Sequence, residues 1–382
     1  MNKNVIYLDH NATAAMHEDV VRHVSLLLPD PANPSSLHSR GRYSKGLIEG
    51  ARKSIMRNLN IDQLSHDVIF TSSGTESNNM ILKNFSGYHL FISPIEHSSV
   101  IKIAEQMSNV TFLKVNEEGV IDEDFLINAL KNNKSDNKFV SVGHANSETG
   151  IIQDIKRLSE ISHEYGAIIH SDMVQSFGKI LVDLKDLDVD IVTISSHKIG
   201  GMLGAASVVK KAEVGIRPLI LGGGQEKGFR SGTENFYAIS SFGKAAELIE
   251  DSIKQFEDIE KLRDYLEEEI VNFEGSSKVY SKNTRRLPNT SYITMPDVDN
   301  QTQMINFDIR GFCVSTGSAC SSGVVEKSYV LKSMGFSKEV HNDAIRVSLG
   351  LNSTKAEIDK FIDAWKVVHD SVFKKEEEIN YG

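Results

Sequence analysis

Cysteine is scarce in this chain. Its 382 residues include only two, Cys313 and Cys320. A disulfide scaffold is therefore excluded, and two free thiols suit a reducing compartment. An excess of positive charge is also missing. Lysine and arginine number 42 against 52 aspartates and glutamates, a net charge of −10, which argues against non-specific contact with nucleic acid. No apolar run is long enough to cross a bilayer. The segment Met1-Asn-Lys-Asn-Val-Ile-Tyr-Leu-Asp9 has neither the apolar stretch nor the cleavage site of a signal peptide. These absences predict a cytoplasmic protein with no direct contact to membrane or nucleic acid. There is no internal repeat and no low-complexity linker. What is present, 40% hydrophobic and 25% charged residues, describes an ordinary globular protein long enough for two domains.

The middle of the chain alternates short apolar runs with segments of helical period. Asp67–Thr71, Leu90–Ser93, Phe139–Val142, Ala167–Asp172 and the run from Ile191 read as strands. Helices are predicted from about Thr75 and from Ile155 to Tyr165. This is the pattern of a mostly parallel sheet with crossover helices. From about Ala238 the character changes. A long helix is predicted through Leu262, Tyr265, Leu266, Ile270 and Phe273, with a solvated face of Asp264, Glu267, Glu268 and Glu269. Two further strands, Asn289–Thr294 and Ile345–Leu349, belong to a second, mixed domain. Lys374-Lys-Glu-Glu-Glu378 reads as a solvated end.

Polar motifs stand at the ends of these strands. Lys198 closes Ile191-Val-Thr-Ile-Ser-Ser-His-Lys198, and Asp172 closes Ala167-Ile-Ile-His-Ser-Asp172. A lysine and an aspartate on neighbouring strands are what pyridoxal phosphate needs. The amine holds its aldehyde as a Schiff base, and the carboxylate keeps the pyridine nitrogen protonated. Gly74 and Thr75 lie where a strand passes into a helix, and free N–H groups there can hold a phosphate. Ser195 and His197 can donate to the same group. His97 can stack on the pyridine face and exchange protons, Gln175 can donate to the ring 3-oxygen, and Asn146 lies just past another strand. Singly, each has a bland reading: a capped helix start, a structural histidine, a loop residue. Their coincidence just beyond successive strands is the argument, because open α/β sheets bind ligands at that edge. No metal site is called for.

Ser315-Thr-Gly-Ser-Ala-Cys320-Ser-Ser-Gly323 has almost no bulky side chain to anchor it. It is predicted to be an exposed, mobile loop, which makes Cys320 a candidate nucleophile. Cys313 lies in the β-like run Gly311-Phe-Cys-Val314 and is predicted to be buried packing. Arg346 is one cation in an apolar strand and needs a carboxylate partner. An internal ion pair is the plain reading. A fork for an amino-acid carboxylate is the functional one.

Together these motifs resemble the cysteine desulfurases, in the class-V aminotransferase group of fold-type I pyridoxal-phosphate enzymes. The resemblance runs over nearly the whole chain. It rests on Ile6-Tyr-Leu-Asp9-His-Asn-Ala-Thr13, Asn33-Pro-Ser-Ser-Leu-His38, Ser73-Gly-Thr-Glu-Ser-Asn-Asn79, Glu96-His97 and Asn146-Ser-Glu-Thr-Gly150. It continues through His170 to Lys179, Ser195-Ser-His-Lys198, Gly222 to Asn235, Ser318-Ala-Cys320 and Arg346-Val-Ser-Leu-Gly350. It implies an α/β fold with a large cofactor-binding domain, residues 14–255. Residues 1–13 and 256–382 would form a smaller α+β domain carrying the cysteine loop.

The resemblance also implies roles. Lys198 is similar to the Schiff-base lysine, Asp172 to the pyridinium partner, His97 to the stacking histidine and Gln175 to the ring-oxygen partner. Gly74, Thr75, Ser195 and His197 resemble the phosphate site. Thr233 resembles the residue that reaches the phosphate of a neighbouring subunit, which implies a homodimer. Asn146 and Arg346 resemble the substrate-carboxylate residues, and Cys320 the sulfur acceptor. The implied reaction turns L-cysteine into L-alanine, with sulfur passing to Cys320 and then to a protein acceptor. The family serves iron–sulfur cluster assembly, tRNA thiolation and cofactor synthesis. Selenocysteine lyase and class-V aminotransferase activities stay open as alternatives. The chain departs from the family pattern twice. Ser147 replaces the usual second asparagine of Asn-Asn-Glu, and the turn after Lys198, Gly200-Gly-Met-Leu-Gly204, is one residue shorter.

Overall fold

The computed structural model of the chain describes residues 5–29, 31, 33–273, 275–317, 328–336 and 343–380, with 372–380 as backbone only. The strands, in chain order, are β1 (Ile6–Tyr7), β2 (His66–Thr71), β3 (His89–Ile92), β4 (Val110–Phe112), β5 (Lys138–Ser141) and β6 (Ala167–Asp172). They continue with β7 (Ile191–Ser195), β8 (Ala206–Lys211), β9 (Thr290–Thr294), β10 (Phe312–Cys313) and β11 (Ala344–Ser348). The central sheet has the order β2-β8-β7-β6-β5-β3-β4. The pairs from β7 to β4 are parallel, and β8 runs against both its neighbours.

Side chains alternate across a strand, so each apolar run feeds two cores. Phe70, Phe91, Val140 and Val192 enter one core; Ile69, Leu90, Phe139 and Ile191 enter the other. Helices Ser39–Asn58, Ile155–Glu164 and Phe236–Glu247 cover the first with Ile55, Leu158 and Phe242. Helices Gly74–Asn84 and Ser98–Ala104 cover the second with Ile81 and Val100. Burial on both faces is why these strands read as continuous apolar runs. The result is the expected α/β architecture. Strands β2, β3, β5, β6 and β7 share one direction, so their carboxyl ends meet at one edge of the sheet.

A separate core lies outside this sheet. Strand β9 pairs antiparallel with β11, and β1 pairs parallel with β10. The helix Ile249–Phe273 and the last helix, Lys355–Asn380, close around Leu266, Ile293, Phe307, Ile345, Phe361 and Trp365.

Two expectations are corrected here. Cys313 is half-buried. It alternates with the buried Phe312 on a two-stranded edge, so its side chain faces partly outward. Glu267 is buried, not solvated. Its carboxylate takes a two-pronged contact from Arg286, Nη1 to Oε1 at 2.8 Å and Nη2 to Oε2 at 2.9 Å. Arg263, one turn earlier, is buried beside it. Helical spacing puts positions 263, 266, 267 and 270 on one inward stripe, and a charge there survives because it is paired. Glu267→Ala is expected to cost about 3–5 kcal/mol, since it leaves a buried guanidinium uncompensated. Equilibrium urea unfolding measures this; a change below about 1 kcal/mol would place the pair among inert surface bridges.

Candidate active site

A cavity of about 200 Å³ opens at the carboxyl edge of the sheet. The strand ends build it. Lys198 follows β7 through one 3-10 turn, Ser196–Lys198. Its Nζ donates to the main-chain carbonyls of Asn11 and Ala12, the latter at 2.9 Å. Burial, and next the charge of Arg346, lower the amine to about 8. Above that pH the amine is neutral and nucleophilic, whereas an ordinary lysine stays charged until about 10.4. Labelling of Lys198 in the cofactor-free protein by an amine-selective reagent, followed by mass spectrometry, is therefore expected to rise with a midpoint near 8. A midpoint near that of surface lysines contradicts the buried setting.

Asp172 ends β6. Its Oδ1 accepts the Val174 N–H at 2.9 Å, and its Oδ2 accepts Asn78 Nδ2 at 2.8 Å. The same Asn78 amide donates to Ser99 Oγ at 2.8 Å, and Ser99 Oγ lies 2.8 Å from His97 Nδ1. The Ser99 main-chain N–H also donates to that Nδ1, at 3.1 Å. A ring nitrogen that accepts carries no proton, so the neutral imidazole holds its proton on Nε2. Burial keeps the ring below its usual titration range. A relay of Asn78 and Ser99 thus connects the Asp172 carboxylate to the tautomer of His97.

The anion end of the cavity follows from helix physics. The Ser73 side chain caps the helix Gly74–Asn84 by accepting the Glu76 N–H. The first-turn N–H groups of Gly74 and Thr75 are left to a ligand. Ser195 Oγ is buried, lines the cavity and has no hydrogen-bond partner among the described residues. His197 Nδ1 lies 3.2 Å from Thr13 Oγ1. Burial and the adjacent Lys198 hold its ring at about 4. On another wall, Asn146 is locked: Oδ1 accepts the N–H groups of Glu148 and Thr149, and Nδ2 donates to the Ile95 carbonyl. Gln175 also lines the cavity.

Two residues with expected roles lie off this wall. Arg346 is buried, with Nη2 2.5 Å from Asp9 Oδ1 and Nη1 donating to the Ser147 carbonyl at 3.0 Å. The plain ion-pair reading is thus realised, although its Nε has no partner among the described residues. Thr233 lines a separate cavity of about 160 Å³ with Arg230 and Glu234. Cys320 lies outside the described residues. Sequence reasoning missed Asn11, Asn78 and Glu148. All three sit in quoted motifs, but only their contacts reveal what they do. Glu148 is buried, raised to about 7 by that burial, and accepts Ser328 Oγ at 2.6 Å. Among the described residues no group of three acidic, histidine or cysteine side chains is placed to hold a metal ion, and no helix is long and apolar enough to cross a membrane.

The donor set fits pyridoxal phosphate. An amine of lowered basicity suits its aldehyde, a carboxylate suits its ring nitrogen, and an unpartnered buried hydroxyl beside a helix N-terminus suits its phosphate. This is the site of a pyridoxal-phosphate enzyme. The chain belongs to the class-V aminotransferase family, whose pattern matches residues 6–361, and within it to the cysteine desulfurases. The cysteine desulfurase IscS of Dictyoglomus turgidum is 36% identical, with 99% of each chain covered. A cysteine desulfurase of a Nostoc species is 36% identical, over 94% of this chain and 92% of its own. The solved structure of a NifS-like protein from Rickettsia africae superposes with a TM-score of 0.91 at 41% identity, covering 96% of this chain and 99% of that one.

Proposed function

We propose that this enzyme takes sulfur from L-cysteine through named groups of this chain, releasing L-alanine and leaving a persulfide on Cys320. Pyridoxal phosphate, when bound, supplies an electron sink for the α-carbon of an amino acid. Lys198 Nζ would hold the cofactor aldehyde and, once free, would take the α-proton. An amine titrating near 8 is basic enough for this without being permanently charged. Asp172 would keep a proton on the ring nitrogen, and Asn78 and Val174 hold its two oxygens in place. His97 presents Nε2–H for proton exchange. Asn146, which lines the cavity, and Arg346, whose buried Nε has no partner among the described residues, would orient the substrate carboxylate. The Cys320 thiolate attacks the substrate sulfur. The S–S bond forms as the carbon–sulfur bond breaks, and the β-carbon takes a proton. Cysteine plus thiol becomes alanine plus persulfide, with no outside oxidant.

The observation that carries this reading is convergence. Residues from five strand ends line one cavity with the donor set of a single cofactor, in a chain whose relatives are cysteine desulfurases. A neighbour of known structure, titled SspA in complex with cysteine, superposes with a TM-score of 0.77 at 27% identity, which supports cysteine as the substrate.

The working unit we infer is a homodimer in the cytoplasm that passes sulfur to a protein acceptor. Leu219, Ile220 and Leu221 are exposed close to Ser231, in the same loop region as Thr233. Uncovered apolar side chains there favour a partner subunit. We divide the chain into two domains at residues 13/14 and 255/256; the second boundary is supported by Ile249 belonging to the sheet-side core and Phe256 to the other. The test is to incubate the purified, cofactor-loaded protein with L-cysteine and an excess of dithiothreitol. Equal amounts of alanine and sulfide are expected. Pyruvate or an amino-group transfer product without sulfide points instead to an aminotransferase.

A further inference from the structure

Lys179 has no role in the reaction above, yet it occupies a costly position. It follows β6 in the turn Phe177–Ile180, and its side chain is 3% exposed. Among the described residues no carboxylate is within ion-pair distance of its amine. A lone buried ammonium is expensive, so the site favours a neutral amine or must repay a charged one. Burial, and next the charges of Lys198 and Arg346, hold it well below the usual lysine range. Its Nζ makes two hydrogen bonds, to Asn11 Oδ1 at 2.7 Å and to Gln175 Oε1 at 2.9 Å. Two are what a neutral amine has to give.

Those bonds decide which way two amides face. The two ends of an amide differ only in donating or accepting, and neighbours choose between them. An N–H donor beside Gln175 draws its carbonyl oxygen and turns Nε2 away. That Nε2 then donates to the Asn11 main-chain carbonyl at 3.0 Å, keeping its second N–H for the cavity that Gln175 lines. The Asn11 carbonyl is also an acceptor for Lys198 Nζ. On the Asn11 side chain, Oδ1 takes Lys179 and Asn289, so Nδ2 faces Thr290 Oγ1 at 2.9 Å and the Ser147 carbonyl at 3.2 Å.

We propose that Lys179 is a positioning residue for the desulfurase reaction: it sets the donor end of Gln175 toward the cavity and locks Asn11, whose main-chain carbonyl docks the free amine of Lys198. It touches neither substrate nor cofactor and acts through these two amides. The inference rests on the reading of Gln175 and Lys198 as cofactor residues.

The test is a double-mutant cycle on the full-length protein with Lys179→Met, Gln175→Leu and the double variant. Two quantities are read in each: pyridoxal-phosphate affinity by absorbance titration, and the pH midpoint of the bound cofactor's visible band. Lys179→Met, close in shape but without a donor, is expected to weaken affinity about 10-fold, the scale of one oriented hydrogen bond. It is also expected to move the band midpoint upward, since a ring oxygen without its donor is less stable as an anion. In the Gln175→Leu background the same change is expected to alter both readings less than about 2-fold in the underlying constant. Full additivity of the two substitutions overturns the proposal, and so does a Lys179→Met protein that titrates like wild type. If Lys179→Met lacks the wild-type circular dichroism spectrum, Lys179→Leu, which also lacks an N–H donor, replaces it in the cycle. If neither folds, Lys179 is a core support and the proposal is withdrawn. A wild-type protein with no visible band at saturating cofactor refutes the underlying site reading instead.

Discussion

Lys198→Ala is expected to abolish the visible band of the cofactor-loaded protein and to lower alanine formation from cysteine by at least about 10⁴-fold. The loss is large because one side chain serves two purposes. It anchors the aldehyde and it moves the α-proton, and among the described residues Lys198 is the one lysine that lines the cavity. Lys179 is the nearest rival by sequence motif, but its amine is already committed to Asn11 and Gln175. Borohydride treatment followed by peptide mass spectrometry should find the reduced cofactor on Lys198 in wild type and on no lysine in the variant. Lys254→Ala, on an exposed helix face, serves as the control and should match wild type. Cofactor fixed to another lysine in the Lys198→Ala protein would end the assignment.

The second large effect is expected from Cys320→Ser, and it differs in kind. The band stays, cysteine still perturbs it on binding, and persulfide formation falls below detection. A serine hydroxyl does not ionise near neutral pH and cannot stand in for a thiolate. Affinity for cysteine should change less than about 3-fold, because the substrate carboxylate and amine are held by other groups. Alkylation of the persulfide followed by mass spectrometry reads the result directly. Sulfide release at the wild-type rate by the serine variant would assign the sulfur acceptor elsewhere, with Cys313 the other thiol to try. Burial, and next Asp308 and Asp9, push the Cys313 thiol up, away from ready ionisation. The two variants separate the halves of the reaction: one removes cofactor chemistry altogether, the other removes only the destination of the sulfur.

Much of the site was legible in the chain because a parallel sheet writes itself plainly. Strands buried on both faces must be apolar throughout, so the first polar residues after each run mark the carboxyl edge. Gly74, His97, Asn146, Asp172 and Lys198 each stand at such a point, and all line one cavity. Arg346 was readable as a cation in need of a partner, but not as the partner of Asp9, 337 positions away. Glu267 was misread for the same reason. A helical wheel says which face is inward only when the inward residues are apolar, and here the inward acid is neutralised by Arg286 from a distant loop.

The alternation of apolar strands with helices and the polar chemistry gathered at strand ends were determined by the sequence alone, since each depends on local periodicity and on which side chains can leave water. Tertiary structure alone decided which polar groups satisfy one another. Asn11 joins Lys198, Gln175, Lys179, Thr290 and Ser147, and Asn78 ties Asp172 to His97 through Ser99. Hydrogen bonds reach only about 3 Å and depend on direction. The partners are therefore fixed by where distant segments come to rest, and no spacing along the chain encodes that.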